Sequence, residues 1–224
     1  MLLLSVDTSG RQGSIALSRG AADGTCQVIE VVALVVGAFS EQLVPQIAAL
    51  LGRHNFTKQD VDAFVVAAGP GSFTGLRVGL AAIKGLAEIL QKPIAAVSLL
   101  EAAALSSGMQ GKVVSALDAG RGDVYCGEYE IAGDSVRQLG ERLLARAELT
   151  SVMGGAKLLT FDKSLADAAS SGGVSVTLIT PLDAASIAPL GLKKILSGDT
   201  VSSDQLEANY IRRSDAEQLL ASSS

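Results

Sequence analysis

Apolar and polar positions change period several times along this chain, and the changes mark out strands and helices. Leu2 to Val6 is a short apolar run ending at Asp7. Ser14 to Ser18 and Cys26 to Val36 follow, separated by the turns Asp7-Thr8-Ser9-Gly10 and Ala21-Ala22-Asp23-Gly24. This predicts an antiparallel meander. Helical spacing then takes over at 41–51. Leu43, Ile47 and Leu50 share one face, and Val44, Ala48 and Leu51 the next. Ser40 is the expected cap and Gly52 the expected stop, while Pro45 should kink the helix or hold to its first turns. Ala63 to Ala68 reads as a buried strand. The turn Gly69-Pro70-Gly71 leads into a helix from about Thr74 to residue 91, capped by Ser72 or Thr74. Pro93 to Val97 is a further strand, and Ser98-Leu99-Leu100-Glu101 a capping box for a helix to about Ser106.

The helix at 74–91 is too apolar for one buried stripe. Leu76, Leu80, Ile83, Ala87 and Leu90 form one face; Gly75, Val78, Ala82, Gly85 and Ile89 form a second. A helix apolar on most sides is expected to be buried on most sides. One face can lie on a sheet, and the Gly/Ala-rich face admits another helix, from this chain or another.

After Ser107-Gly108-Met109-Gln110-Gly111 the pattern restarts. Val113 to Leu117 ends in Asp118, Asp123 to Glu130 returns, Gly133-Asp134 turns, and Val136 to Leu139 follows. LLLSVDTSGRQGSIAL and VVSALDAGRGDVYCGEY both read strand, terminal Asp, Gly/Arg turn, returning strand. This weak repeat predicts two related α/β units of βββαβαβα order, at 1–107 and 108–224. Later elements are expected at Leu158 to Phe161, Ser164 to Ala169, Val174 to Ile179 and Ala184 to Leu196. A tail helix is expected at Asp215 to Leu220, packing back on the first unit.

Composition narrows the options. Hydrophobic residues make up 48% of the 224 and aromatics only 4%, with no Trp, so the core must be Ala, Val, Leu and Ile. Excess apolar surface points to burial in an assembly. A net charge of −5 argues against tight independent binding to nucleic acid. Cys26 and Cys126 have no ligand spacing and read as small buried hydrophobes in a reducing compartment. Asp7 interrupts the N-terminal apolar run with no basic region before it, and no run is long enough to span a membrane. The expected location is cytoplasmic, with no membrane partner.

Candidate chemistry is sparse. Asp7 and Asp118 each end a first strand, where a carboxylate can hold a metal, orient a phosphate between two lobes, or cap its own turn. The turn reading is preferred. Gly69-Pro70-Gly71-Ser72-Phe73-Thr74-Gly75 is not a Walker A loop, and Thr74 replaces the third Gly of a dinucleotide fingerprint. A strand-to-helix turn is the preferred role, although free helix amides can hold an anion. The single histidine, His54, sits in a polar loop, so neither a Ser-His or Cys-His pair nor a histidine metal site can be assembled.

Residues 69–79, Gly-Pro-Gly-Ser-Phe-Thr-Gly-Leu-Arg-Val-Gly, closely resemble the TsaB (YeaZ) family. So do Leu4 to Ser9, Ser40 to Ile47, Asp118 to Tyr125, and Tyr210-Ile211-Arg212-Arg213. The resemblance covers nearly the whole chain. It departs at Phe39, where relatives often carry His, and at Thr160-Phe161-Asp162, where a Gly-rich strand end is usual.

The resemblance implies a tandem ASKHA (actin-like, RNase H-like) two-lobed α/β fold with mixed five-stranded sheets and flanking helices. It implies a non-catalytic scaffold for the catalytic subunit TsaD, with the ATPase TsaE, in making N6-threonylcarbamoyladenosine at position 37 of tRNAs reading codons that begin with A. The chain would form homodimers alone and meet tRNA only through the complex. No cofactor of its own is implied, and ATP or ADP at the complex junction stays open. Asp7, Thr8, Ser9 and Asp118 are the weak candidates for nucleotide contact; no catalytic or metal residue is assigned. The expected subunit interface is Leu43, Ile47 and Leu50 with Leu76, Val78, Gly79, Ala82, Ile83 and Leu86. A charge at Gly79 or Ala82 should then break pairing and spare the fold. The alternatives are an ASKHA-type ATPase or phosphotransferase using the inter-lobe cleft, and a glycoprotease-like peptidase, which the missing metal-ligand histidines oppose.

Overall fold

The structure, a computed structural model, describes residues 1–133 and 135–212. Two five-stranded mixed sheets carry the fold. The first contains β1 (Leu2–Asp7), β2 (Gly13–Gly20), β3 (Cys26–Leu34), β4 (Ala63–Gly69) and β5 (Ile94–Ser98), in the order β3-β2-β1-β4-β5. Helices α1 (Phe39–Arg53), α2 (Phe73–Leu90) and α3 (Leu99–Ser106) are threaded between and after them. The second contains β6 (Gly111–Gly120), β7 (Asp123–Ala132), β8 (Ser135–Ala145), β9 (Lys157–Thr160) and β10 (Val176–Leu178), in the order β10-β9-β6-β7-β8. With α4 (Leu149–Val152), α5 (Lys163–Ser171) and α6 (Ala184–Ser197), it repeats the first arrangement. In each unit the opening meander is antiparallel and the later strands join parallel, β4 to β1 and β9 to β6. The sequence repeat is therefore a repeat of topology.

The strands of the first sheet are apolar on both faces because helices cover both. Leu4, Val6, Phe64 and Val66 face one cluster with Leu43, Ile47, Leu76 and Ile83. Val65, Ala67, Ala95 and Val97 face another with Ile187 and Leu190 of α6. So α6, which follows the second sheet in sequence, packs against the first. A β-carbon on Gly191 would come to 2.4 Å from the Val65 methyls, which explains glycine at that close crossing.

Several elements differ from their sequence expectations. Ser40 is not a cap: α1 starts at Phe39, and its N-cap, Ala38, makes no side-chain hydrogen bond. The helix runs through Pro45 and past Gly52 to Arg53. Pro45 is tolerated because Pro45, Glu41 and Val44 all face solvent, where water can satisfy the freed carbonyl. Ser98 accepts from the Glu101 amide, so that half of the capping box forms. Strand β8 extends to Ala145, far beyond Leu139, because it pairs with β7 along its length except for a bulge at Leu139. The expected turn residue Asp134 and the helix at 215–220 lie outside the described residues. Cys126 is buried, Cys26 is half-buried, and both are free thiols. No described helix is long and apolar enough to cross a membrane.

Candidate functional site: a helical groove and the cleft beside it

The glycine-rich turn is shaped by the end of β1. Asp7 Oδ1 accepts from the Ser9 amide at 2.9 Å and from Ser9 Oγ at 2.5 Å, which closes an Asx turn. Thr8 Oγ1 donates to the Gly75 carbonyl at 2.7 Å, and the Ser72 amide donates to the Ser9 carbonyl at 2.7 Å. A β-carbon would meet the Ser9 carbonyl at 2.6 Å from Gly71, the Thr8 carbonyl at 2.0 Å from Gly75, and Thr8 Oγ1 at 2.4 Å from Gly79. The motif's glycines therefore let α2 settle on its own lobe's first turn. Ser72, one of the two expected caps, accepts from the Gly75 amide at 3.3 Å.

This changes the expected interface. Ile47, Leu50, Leu76, Gly79 and Ile83 are buried within their own lobe; Leu43 is also buried but contributes to the lining of the groove between α1 and α2. The interface set implied by the family resemblance took residues from the face that lies on the sheet. Val78, Ala82 and Leu86 are half-buried and pack against that core from its edge. The apolar side chains left outside are different ones: Val44 at 52% exposure, Ile89 at 74% and Phe73 at 38%, with Ala48, Ala81 and Gly85 between them. Leu43, Val44, Phe73, Val78, Ala81 and Ala82 line an open groove of about 510 Å³ between α1 and α2, so Leu43, Val78 and Ala82 of the expected interface do reach it. Arg77 lies with its guanidinium 3.7 Å from the Phe73 ring centre and donates through Nε to the Tyr210 hydroxyl at 3.2 Å. The Phe73 and Tyr210 rings are 5.1 Å apart.

On the other side of the Phe73–Tyr210 wall lies the cleft between the sheets. Ser9, Arg11, Gly71, Asp118 and Phe161 line one part of it, a cavity of about 480 Å³. Asp7, the last residue of β1, and Asp118, which lies two residues inside the end of β6 rather than at it, have unlike environments. Burial holds the Asp7 carboxyl above its ordinary value, the two Ser9 hydrogen bonds oppose this, and the charge of Asp183 adds to it. Asp118 is exposed and paired with Arg146 at 2.8 Å. Among the described residues, no three His, Cys, Asp or Glu side chains gather to hold a metal. Of the four nucleotide candidates, Asp7, Thr8 and Ser9 spend polar groups on one another and on α2, and Ser9 and Asp118 reach the cleft wall. His54 stands at the C-terminal end of α1 with Nε2 2.7 Å from Glu30, which also pairs with Arg53, so it belongs to a small polar cluster rather than a free loop.

Three features escaped the sequence. The Phe73–Arg77–Tyr210 stack joins residues 133 positions apart, although the phenylalanine and arginine at i and i+4 on one helix face were a visible half of it. Arg212 reaches the carbonyls of Ala119 and Gly120 and the Asp123 carboxylate. Glu141 accepts from Ser98, Tyr129 and Asn209; nothing in the surrounding sequence distinguishes it from an ordinary surface Glu.

Residues 33–201 match the family model described as TsaD: tRNA N6-adenosine threonylcarbamoyltransferase. The tRNA threonylcarbamoyladenosine biosynthesis protein TsaB of Bacillus subtilis is 36% identical over 62% of this chain and 59% of its own length. The protein of the same name from Escherichia coli is 32% identical over 58% of this chain and 55% of its own. The chain thus spans a little over half the length of these curated relatives. The solved structure of YeaZ from Pseudomonas aeruginosa superposes with a TM-score of 0.74 at 25% identity, covering 93% of this chain and 99% of that one.

Proposed function

The chain belongs to the TsaB (YeaZ) branch of the tRNA N6-adenosine threonylcarbamoyltransferase family, and from that premise we propose that it is an accessory subunit in the synthesis of N6-threonylcarbamoyladenosine on tRNA. It acts in the cytoplasm by docking the TsaD catalytic subunit, with TsaE joining the assembly, and it pairs with itself when alone. The chemistry of transfer belongs to the partner.

The observation that carries this reading is the α1–α2 groove. It is apolar, small-residue and open, and it adjoins the 69–79 motif that marks the family. Close helix approach needs small residues, which Ala48, Ala81 and Gly85 supply on the exposed face. A stable pairing of two such surfaces buries on the order of 1,600 Å² in total. Ala81→Arg tests it by placing a charge in the groove. The expected result is loss of co-purification with TsaD and of homodimer by light scattering, with an unchanged melting temperature. Wild-type pairing by this variant would count against the groove.

A further inference from the structure

Beyond α6 the chain does not stop at one lobe. The Val201 amide donates to the Ile94 carbonyl at 2.9 Å, on the open edge of the first sheet. Leu206 is buried in the first lobe's core. The Asn209 amide donates to the Ala68 carbonyl, at the end of β4, at 2.7 Å. Then the segment crosses: Ile211 packs with the cluster shared by the two sheets, which includes Val65 and Val97 as well as Leu117 and Tyr129, and Arg212 binds the Ala119 and Gly120 carbonyls and Asp123 at the β6–β7 turn of the second sheet. Twelve consecutive residues, 201–212, therefore hold both sheets.

One carboxylate sits where the crossing occurs. Glu141, on β8, accepts through Oε1 from Ser98 Oγ of the first lobe at 2.5 Å and from the Tyr129 hydroxyl of its own sheet. Through Oε2 it accepts from Asn209 Nδ2 of the crossing segment at 2.5 Å. Three elements thus meet on one half-buried charge, and hydrogen bonds to a charge are the strong kind. Burial, followed by the Glu141 charge, pushes the Tyr129 hydroxyl well above its ordinary value, so it remains a donor.

The next residue along, Tyr210, is the outer leaf of the Phe73–Arg77 stack. Phe73 and Tyr210 line the cleft between the lobes, while Phe73 and Arg77 line the α1–α2 groove. The same three side chains are the wall between the two cavities. We propose that residues 201–212 are a strap, latched by Glu141, that couples the inter-lobe cleft to the α1–α2 groove. Moving the strap removes Tyr210 from the wall and alters both cavities. By reciprocity, changing the groove side of the wall alters the hold on the strap.

Hydrogen–deuterium exchange on the full chain tests it, comparing wild type with Glu141→Ala, Asn209→Ala and Arg77→Ala. Loss of the latch should raise exchange of the amides in 205–212 at least tenfold and also raise it at 75–79 on α2. Arg77→Ala, at the other end, should raise exchange at 209–212. Amides at 3–6 on β1 and at 113–117 on β6 should keep their wild-type rates, which shows both lobes folded. Wild-type exchange of the strap in Asn209→Ala, or a loosened strap with 75–79 unchanged, overturns the coupling. If Glu141→Ala does not fold, because Ser98 and Tyr129 lose their acceptor, the Asn209 and Arg77 variants decide alone. A failed docking assay with Ala81→Arg would leave this result untouched, so the two readings fail separately.

Discussion

Gly75 lies against Thr8 so closely that a β-carbon on it would stand 2.0 Å from the Thr8 carbonyl oxygen. That oxygen is backbone, at the tight turn after β1, and cannot swing aside as a side chain could. The contact explains why the first turn of α2 carries a glycine: its third residue packs directly against the turn after β1, with no room for a side chain. Gly75→Ala should therefore destabilise the fold by about 3 kcal/mol, at the upper end of overpacking costs, read as a lower urea midpoint.

Gly85, on the same helix, is the control. It is exposed and no atom lies within 4 Å of its would-be β-carbon. Gly85→Ala should raise stability by about 0.5–1 kcal/mol through helix propensity and lost unfolded-state freedom. The pair of urea titrations separates close approach from a general dislike of glycine in helices.

Charge in the helix seam will act by two routes. Gly79→Arg, whose β-carbon would meet Thr8 Oγ1 at 2.4 Å, should damage the lobe itself. Ala81→Arg, on the exposed face, should leave stability within about 0.5 kcal/mol, as for an ordinary surface change, and still abolish pairing. Melting curves beside light scattering distinguish them; equal melting temperatures for the two variants would show that Gly79 is not the tight point described.

The buried Asp7 carboxyl predicts a pH dependence of definite sign. Its folded value lies above the ordinary 3.8, because burial disfavours the charged form. The folded state therefore holds the proton more tightly than the unfolded chain, and stability falls as pH rises from about 3.8 through the folded value. Asp7→Asn, which can keep an acceptor for Ser9, should be more stable than wild type at pH 7, and the advantage should vanish at pH values below 3.8. Denaturation series at several pH values check the crossover.

The cleft invites a nucleotide assay on the isolated chain. Calorimetry with ATP and magnesium should give no tight one-to-one isotherm if catalysis belongs to the partner. Tight binding with turnover that is lost in Asp7→Asn would favour the phosphotransferase reading instead.

Much of this architecture was legible in the pattern of residues. Short apolar runs ending at Asp7 and Asp118 marked the first strand of each sheet, and the repeat between them foretold the shared strand order. Local rules sufficed because strand and helix periods are set within a few residues. The outward face of α2 was legible only in part. Periodicity put Leu76 and Ile83 on one face and Gly85 and Ile89 on the other, but the interface implied by the family resemblance took Leu76, Gly79 and Ile83, which the sheet and the Thr8 turn claim, and left out Ala81, Gly85 and Ile89, which stay outside. The length of β8 and the role of Glu141 were equally hidden, since each depends on strands and segments distant in sequence.

By itself, then, the order of amino acids settled most of the strands and helices, though not α4 or the length of β8, that the plan occurs twice, and which family the chain resembles. Only tertiary structure decided which side of each helix is spent inside the lobe, and that residues 201–212 bind the two halves together. The physical reason is that burial and hydrogen-bond partnership are properties of pairs brought together by folding, while periodicity is a property of neighbours along the chain.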